Sequence, residues 1–238
     1  MVLDIRRFMP RLGGKKLYFL LKPKFVQANI KLGRDNFFDY LREHDLLVPP
    51  KRSYIKTTHS KHWMKKSPNL LKDKEVEYAE EVFVSDITYL ESDEGVHYLS
   101  LVTDAGTRKI MGHDLSNTMK AEDISRALKQ AVKQRVTKNA LIHHSDRGSQ
   151  YCSAAYRSLL EKHGITSSMT DGYDCYQNAL AERVNGILKQ EFLLERCKTF
   201  EQLKKLVSES IDIYNQQRPH LSLGMKTPDE VHKKAGSR

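Results

Sequence analysis

Three acidic residues occupy places where a carboxylate needs a reason. Asp86 interrupts an otherwise apolar strand pattern of Phe83, Val84, Ile87, Tyr89 and Leu90. A carboxylate there is poor for strand propensity and costly to desolvate, so it calls for a partner or a metal ion. Taken alone, it also reads as a solvent-facing strand residue. Asp146 follows a short apolar run that ends at His144 in LIHHSDRGSQY. The carboxyl ends of strands are where open α/β sheets place their ligands, and Gly148 permits a sharp turn just beyond. Glu182 lies in NALAERVNGILKQEF, whose helical periodicity gathers Leu180, Val184, Ile187 and Leu188 on one side and Glu182, Asn185, Gly186 and Lys189 on the other. Glu182 and Lys189 are close to two turns apart, roughly 10 Å along the axis and on one face. That layout suits a metal site beside a phosphate clamp; an exposed face with ordinary charges is the plainer alternative.

The elements that would carry these residues follow from pattern and punctuation. Alternation predicts strands over 82–90, 96–104 and 109–115, with Ser92-Asp93-Glu94-Gly95 and Ala105-Gly106-Thr107 as hairpin turns. A helix over 121–135, a strand over 140–144, a helix over 153–163 and a strand over 165–169 come next, and helices over 178–195 and 200–216 close the pattern. Three meandering strands followed by alternating helix and strand predict a five-stranded mixed sheet flanked by helices, an α/β architecture. Asp104 also ends a strand, but Asp104-Ala105-Gly106 is good turn sequence, so it is read as a turn residue.

Residues 1–48 carry short helical patterns separated by Gly13-Gly14, Pro23 and Gly33, the clearest from Arg34 to His44. They read as a small basic, helix-turn-helix-like DNA-binding segment. Residues 49–75 form a basic linker with little periodicity, and 76–238 form the remaining unit. The formal charge of +10 is unevenly spread: residues 1–75 hold 18 Lys or Arg against 7 Asp or Glu, and the rest hold 22 against 23. A concentrated positive field suits a phosphate backbone, because each neutralised phosphate releases counterions; a solubilising surface is the alternative. Lys51 and Arg52 in the linker are candidate backbone contacts, and Tyr54 and Trp63 are either stacking residues or buried anchors. His59 and His62 lack paired cysteines, which disfavours a zinc site. Cys152, Cys175 and Cys197 suit neither a disulfide framework nor a Cys-x-x-Cys site and read as reduced residues. No apolar run approaches the roughly 20 residues of a membrane span, and the first residues lack a secretory signal. A cytoplasmic protein is the expectation.

Thirty-five residues lie between Asp146 and Glu182. With FVSDITYL, HHSDRGSQY, QNALAERVNGILKQEF and YNQQRPHLSLGMKTPDE in this order, residues 75–235 resemble the DDE transposases of the IS3 insertion-sequence family, which carry a retroviral-integrase-type catalytic core. IRRFMPRLGGKKL and GRDNFFDYLREHDLL resemble the helix-turn-helix-like segment that precedes that core. Two positions depart from the pattern: Phe83 stands where many relatives have Trp, and Gln177 where an acidic residue is common. Neither touches the three carboxylates.

The resemblance implies a ribonuclease-H-like fold and an enzyme that cleaves and joins the DNA ends of a mobile element. It implies that Asp86 and Asp146 bridge two Mg²⁺ ions, that Glu182 completes one site, and that Mn²⁺ substitutes. Oxygen-only ligands suit such hard cations, and two of them flanking a scissile phosphate activate the attacking oxygen and stabilise the leaving one. Lys189 would contact the DNA end, with Arg147, Asn178 and Arg183 as further DNA candidates. His143 and His144 are read as strand-end residues that pack or hydrogen-bond, and Arg218 and His220 as residues that order the tail. The expected partners are element ends and target DNA, further copies of the chain on DNA, and the upstream-frame product of the same element. The short N-terminal part fits a second-frame product. A nuclease of the same fold without strand transfer, or a noncatalytic DNA-binding relic, are the alternatives.

Overall fold

The computed structural model describes residues 1–49, 64–72, 74–171 and 178–235. Strands β1 (Val82–Ser92), β2 (Gly95–Asp104) and β3 (Ile110–Ser116) form an antiparallel meander. Strands β4 (Leu141–Ser145) and β5 (Ile165–Met169) then add in parallel on the other side of β1, giving the order β3-β2-β1-β4-β5. The parallel additions need crossovers. Helix α4 (Ala121–Lys133) supplies the first, and α5 (Ser149–Cys152) with α6 (Ala154–Lys162) the second. The mixed five-stranded sheet is therefore the expected one.

Alternation along β1 sorts its side chains between two apolar layers. Phe83 packs with Val102, Met111, Leu128 and Tyr156 on the side of α4 and α6, while Val82 and Val84 meet Ala181 on the other side. The backbone of α4 approaches β3 so closely that a Cβ on Gly112 would lie 2.1 Å from the Ala127 carbonyl oxygen. Only glycine permits that contact. On the opposite side lie α7 (Ala179–Ile187) and α8 (Phe200–Gln216), followed by α9 (Pro228–Ala235).

The N-terminal helices α1 (Val2–Phe8), α2 (Gly14–Gln27) and α3 (Arg34–Glu43) share an apolar cluster with the core. Leu17, Leu21, Phe25, Phe37 and Leu41 belong with Leu99, Leu101, Val184, Ile187 and Val207. Pro23 does not separate two helices as the sequence suggested, because α2 runs through it. The lost hydrogen bond and the ring clash cost about 3 kcal/mol. Leu17, Leu21 and Phe25 recur at four-residue spacing and are buried on both sides of the proline; each contributes about 1.5–3 kcal/mol. Packing wins.

The helix expected over 178–195 is shorter and changes type. After Ile187 it widens into a π-helical turn, Leu188–Phe192, closed by Leu193 N–H donating to the Leu188 carbonyl at 2.9 Å. Arg218 holds that turn, donating to both Glu191 carboxylate oxygens at 2.8 Å, and Arg11 N–H reaches the Glu191 carbonyl at 3.4 Å. Arg218 and His220 thus order the tail, as expected.

Two buried carboxylates pin the entrance to β1. Asp104 accepts from the Glu80 and Gly106 amides at 3.0 and 3.3 Å and from the Thr107 hydroxyl at 2.6 Å, the turn role read from its sequence. Glu80, with φ +59°, accepts from the Val136 and Thr137 amides, the Thr137 hydroxyl and His232 at 2.7–2.9 Å. It ties α9 and the α4–β4 connection to the strand that carries Asp86. Cys152 and Cys197 are free thiols; Cys175, Gln177, Lys51, Arg52, Tyr54, His59, His62 and Trp63 lie outside the described residues. No helix among the described residues is long and apolar enough to cross a membrane.

Candidate active site

Register brings the first two carboxylates level. Val84 of β1 pairs with His144 of the parallel strand β4, so Asp86 and Asp146 each lie two residues further along adjacent strands. Beyond Ser145 the chain leaves the sheet. Asp146 Oδ1 accepts from the Gly148 amide at 3.0 Å, an Asx turn that aims the carboxylate and starts the connection. A Cβ on Gly148 would meet that same oxygen at 3.0 Å. A side chain at 148 would crowd the carboxylate that the amide positions.

Glu182 arrives from α7, whose rotation is set by two asparagines on its own stripe. Asn178 Nδ2 donates to the Ser85 carbonyl at 3.0 Å, and Asn185 Nδ2 donates to Asp86 Oδ2 at 2.8 Å. Positions 178, 182 and 185 are four and three residues apart and therefore share a face. With its neighbours on that stripe bonded to β1, Glu182 is turned toward Asp86 while remaining solvent-accessible. Lys189, in the π-helical turn, is half-buried. Burial lowers its pKa, and the nearby carboxylates of Asp86 and Glu91 oppose that shift.

The electrostatics distinguish this site from an ordinary polar cluster. Burial, then the Asp146 charge and, more weakly, Glu182 push the Asp86 carboxyl up to about 7, against the Asn185 hydrogen bond that favours its ionised form. Like-charged carboxylates crowded together store an unfavourable energy that a cation relieves. Two buried acceptor or donor atoms beside them lack hydrogen-bond partners among the described residues: Asn185 Oδ1 and the Tyr151 hydroxyl. Tyr151 lies within the field of both Asp86 and Asp146, which add to the effect of burial in raising its pKa. Among the described residues, no three His, Cys, Asp or Glu side chains close into a ready-made metal cage. The donor set, all oxygen and with excess negative charge, fits a hard divalent cation.

The remaining expected residues fall into two groups. Arg147 is half-buried and pairs with Asp171 at 3.7 Å, and Arg183 is exposed on α7 next to Glu182. Asn178 is buried, its amide committed to β1. His143 is buried with its Nε2 between the Ser85 and Tyr156 hydroxyls at 2.8 and 2.9 Å, and burial pushes its pKa down to about 3. His144 meets Ser168 at 2.8 Å. His143 is therefore neutral, and both act as packing and hydrogen-bonding residues, as read from their strand-end position. Sequence reasoning placed Asn185 on the correct stripe without assigning its bond to Asp86, and it missed Tyr151. The only sequence signal for Tyr151 was its place five residues after Asp146.

Known proteins are similar to this chain. A family model described as an integrase core domain matches residues 78–175, and a second of the same description matches 163–228. An uncharacterized 31 kDa protein of insertion element IS600 from Shigella sonnei is 35% identical over 217 residues, covering 90% of this chain and 80% of that protein. Transposase InsF for insertion sequence IS3A from Escherichia coli strain K12 is 33% identical over 231 residues, covering 96% and 79%. Among solved structures, the integrase catalytic core of HTLV-2 in complex with magnesium superposes with a TM-score of 0.53 at 18% identity, over 65% of this chain and 97% of that one. A simian T-cell lymphotropic virus intasome chain gives 0.58 at 15% identity, over 98% and 74%. These two likenesses establish the ribonuclease-H-like fold, and the sequence relatives establish the rest: the chain belongs to the IS3-family transposases, polynucleotidyl transferases with an integrase-type core.

Proposed function

We propose that this DDE transposase cleaves and joins the DNA ends of its own mobile element with Asp86, Asp146 and Glu182 as the ligands of divalent metal. The observation that carries the assignment is the Asp86 carboxyl, pushed up to about 7 by burial and by the two other carboxylates. Evolutionarily idle polar groups are not usually left so poorly compensated, and perturbed acids cluster at functional sites. Mg²⁺, with Mn²⁺ as substitute, would supply charge neutralisation at the scissile phosphate and activation of the attacking water or DNA 3′-hydroxyl.

The chain's own residues do the positioning. Asn185 orients Asp86 and favours its ionised form; the Gly148 amide fixes Asp146; Asn178 and Asn185 together set the rotation of α7 and so the reach of Glu182. Lys189 places an ammonium beside the carboxylates, suited to a phosphate of the DNA end. Arg147 and Arg183, neighbours in sequence of Asp146 and Glu182, and Lys51 and Arg52 of the basic linker are further candidate contacts to the DNA backbone. The basic helices of residues 1–48 act as the DNA-capturing segment, 49–75 as the linker and 76–238 as the catalytic unit. The working form pairs element ends through more than one copy of the chain, with the upstream-frame product as a further partner. It works in the bacterial cytoplasm, on the nucleoid when bound to DNA.

Incubation of the full chain with 3′-labelled element ends, target DNA and Mg²⁺ tests the reading. Joined products are expected from the wild type and absent with Asp146→Asn. Cut products without joining would replace the transposase by a nuclease, and joining by Asp146→Asn would remove that residue from the site.

A further inference from the structure

Three tyrosines are buried among the described residues, Tyr151, Tyr156 and Tyr214, and their hydroxyls are treated differently. Tyr156 bonds its hydroxyl to His143 Nε2 at 2.9 Å, and Tyr214 donates to the Arg108 carbonyl at 3.0 Å. The Tyr151 hydroxyl is buried with no hydrogen-bond partner among the described residues. Taking a hydroxyl out of water without a partner is costly. Phenylalanine would fill the same space without that cost, so the hydroxyl calls for a partner that the folded chain by itself does not supply.

The ring is held next to the candidate metal ligands. Tyr151 lies in α5, the short helix that begins directly after the turn made by Asp146 and Gly148. A single carbon added at Gly148 would meet both Asp146 Oδ1 at 3.0 Å and Tyr151 Cδ2 at 3.6 Å, so the carboxylate and the ring edge border one point. On its other sides the ring packs against His143 and Tyr156, with centroids 6.0 and 5.5 Å away and planes at 42° and 77°. His143 is itself fixed between the Ser85 and Tyr156 hydroxyls. Interlocked rings of this kind keep an aromatic side chain in one orientation. Burial, then Tyr156, Asp86 and Asp146, keep the phenol protonated, so it has a proton to donate. The carboxylates whose field reaches it are Asp86 and Asp146, and an ionised carboxylate offers about four lone-pair sites.

We infer that Tyr151 is a positioning residue of the metal site: its hydroxyl donates to the Asp86 and Asp146 carboxylates when these gather around a divalent cation, and so fixes their orientation. The inference rests on the reading of those two residues as metal ligands and deepens it. In the metal-free chain Asp146 accepts from the Gly148 amide and Asp86 from Asn185, while the hydroxyl between ring layer and carboxylates stays unpaired. Groups that hydrogen-bond metal ligands from outside orient them, and their loss weakens metal binding about 10- to 100-fold. Tyr151 acts on the ligands and touches neither strand of DNA.

Tyr151→Phe deletes the hydroxyl and keeps the ring. Isothermal titration of Mn²⁺ into the full-length wild type, Tyr151→Phe and Asp86→Asn, with metal-free thermal melts of each, tests the inference. Tyr151→Phe should bind Mn²⁺ about 10-fold more weakly than wild type and, without metal, melt no lower than wild type, because no hydrogen bond of the metal-free fold is lost. A hydroxyl that served the fold alone would give the opposite pair of results. Near-UV difference absorbance adds a second readout: Mn²⁺ should shift a tyrosine band in the wild type, and the shift should be missing in Tyr151→Phe. Unchanged affinity, a lowered metal-free melt or a band shift that the variant keeps would each overturn the inference. The two readings fail separately. Binding that Asp86→Asn abolishes and Tyr151→Phe leaves intact overturns only the role of Tyr151, and a wild type that binds no Mn²⁺ overturns both.

Discussion

Glu80, in the turn before β1, and Asp86, within β1, lie six residues apart, and their surroundings drive them in opposite directions. Glu80 is fully buried, yet the His232, Val136 and Thr137 hydrogen bonds overcome that burial and hold its carboxyl down at about 2. Asp86 keeps some solvent access and, among the described residues, accepts from one side-chain donor, Asn185, and burial with two like charges pushes it up to about 7. One carboxylate is satisfied by the fold; the other is left for something the chain alone does not supply. Burial by itself therefore does not mark a functional acid. The balance between donors and like charges does.

The largest expected effect breaks the unsatisfied side of this comparison. Asp86→Asn and Asp146→Asn should each lower strand transfer at least about 10³-fold, with duplex affinity by anisotropy within about twofold of wild type. Next comes the satisfied side. Glu80→Ala strands five donors, on Arg135, Val136, Thr137 and His232, and should cost about 3 kcal/mol in urea unfolding; a cost below about 1 kcal/mol would mean that the network is not a unit.

Metal-free melts against pH should then separate the two acids by sign. Glu80 titrates lower in the folded state than its ordinary 4.5, so its contribution is present above about pH 4.5 and fades as pH falls toward 2. Asp86 titrates higher than its ordinary 3.8, so its contribution is present at low pH and is lost as pH rises from about 4 through 7. Asp86→Asn should accordingly gain stability relative to wild type as pH climbs to 8, and Glu80→Gln should approach wild type as pH drops below 4. Parallel curves for the two variants would erase the distinction. The smallest effect is expected from Asn185→Leu, which removes the donor that favours ionised Asp86: the pH midpoint of metal binding should move up by about half a unit. A midpoint that stays put would make Asn185 a strut for α7 only.

Much of the candidate site was legible in the sequence, because its signals are local. The break in apolar alternation at Asp86, the strand end before Asp146 and the stripe of Glu182 each need only a few neighbouring residues, and the sheet follows from strands and turns of the same kind. What was hidden depends on long-range contacts. Glu80 meets Thr137 and His232, 57 and 152 residues away, and no pattern around EYAEE announces them. The path of α2 through Pro23 depends on packing against the core, and the widening after Ile187 accompanies the Glu191 pairing with Arg218. Asn185 was visible as a position on the correct face, but its bond to Asp86 required the register of α7 on β1.

On the proposed function, the Asp86 carboxyl that burial and two like charges push up to about 7 is there for a cation. Isothermal titration of Mn²⁺ into the wild type and into Asp86→Asn, at pH 8 and pH 6, tests it most directly. Binding by the wild type at pH 8 that weakens at pH 6, as protons compete for Asp86, and little binding by the variant at either pH is the predicted result. Equal affinity in wild type and variant, with no dependence on pH, would contradict it.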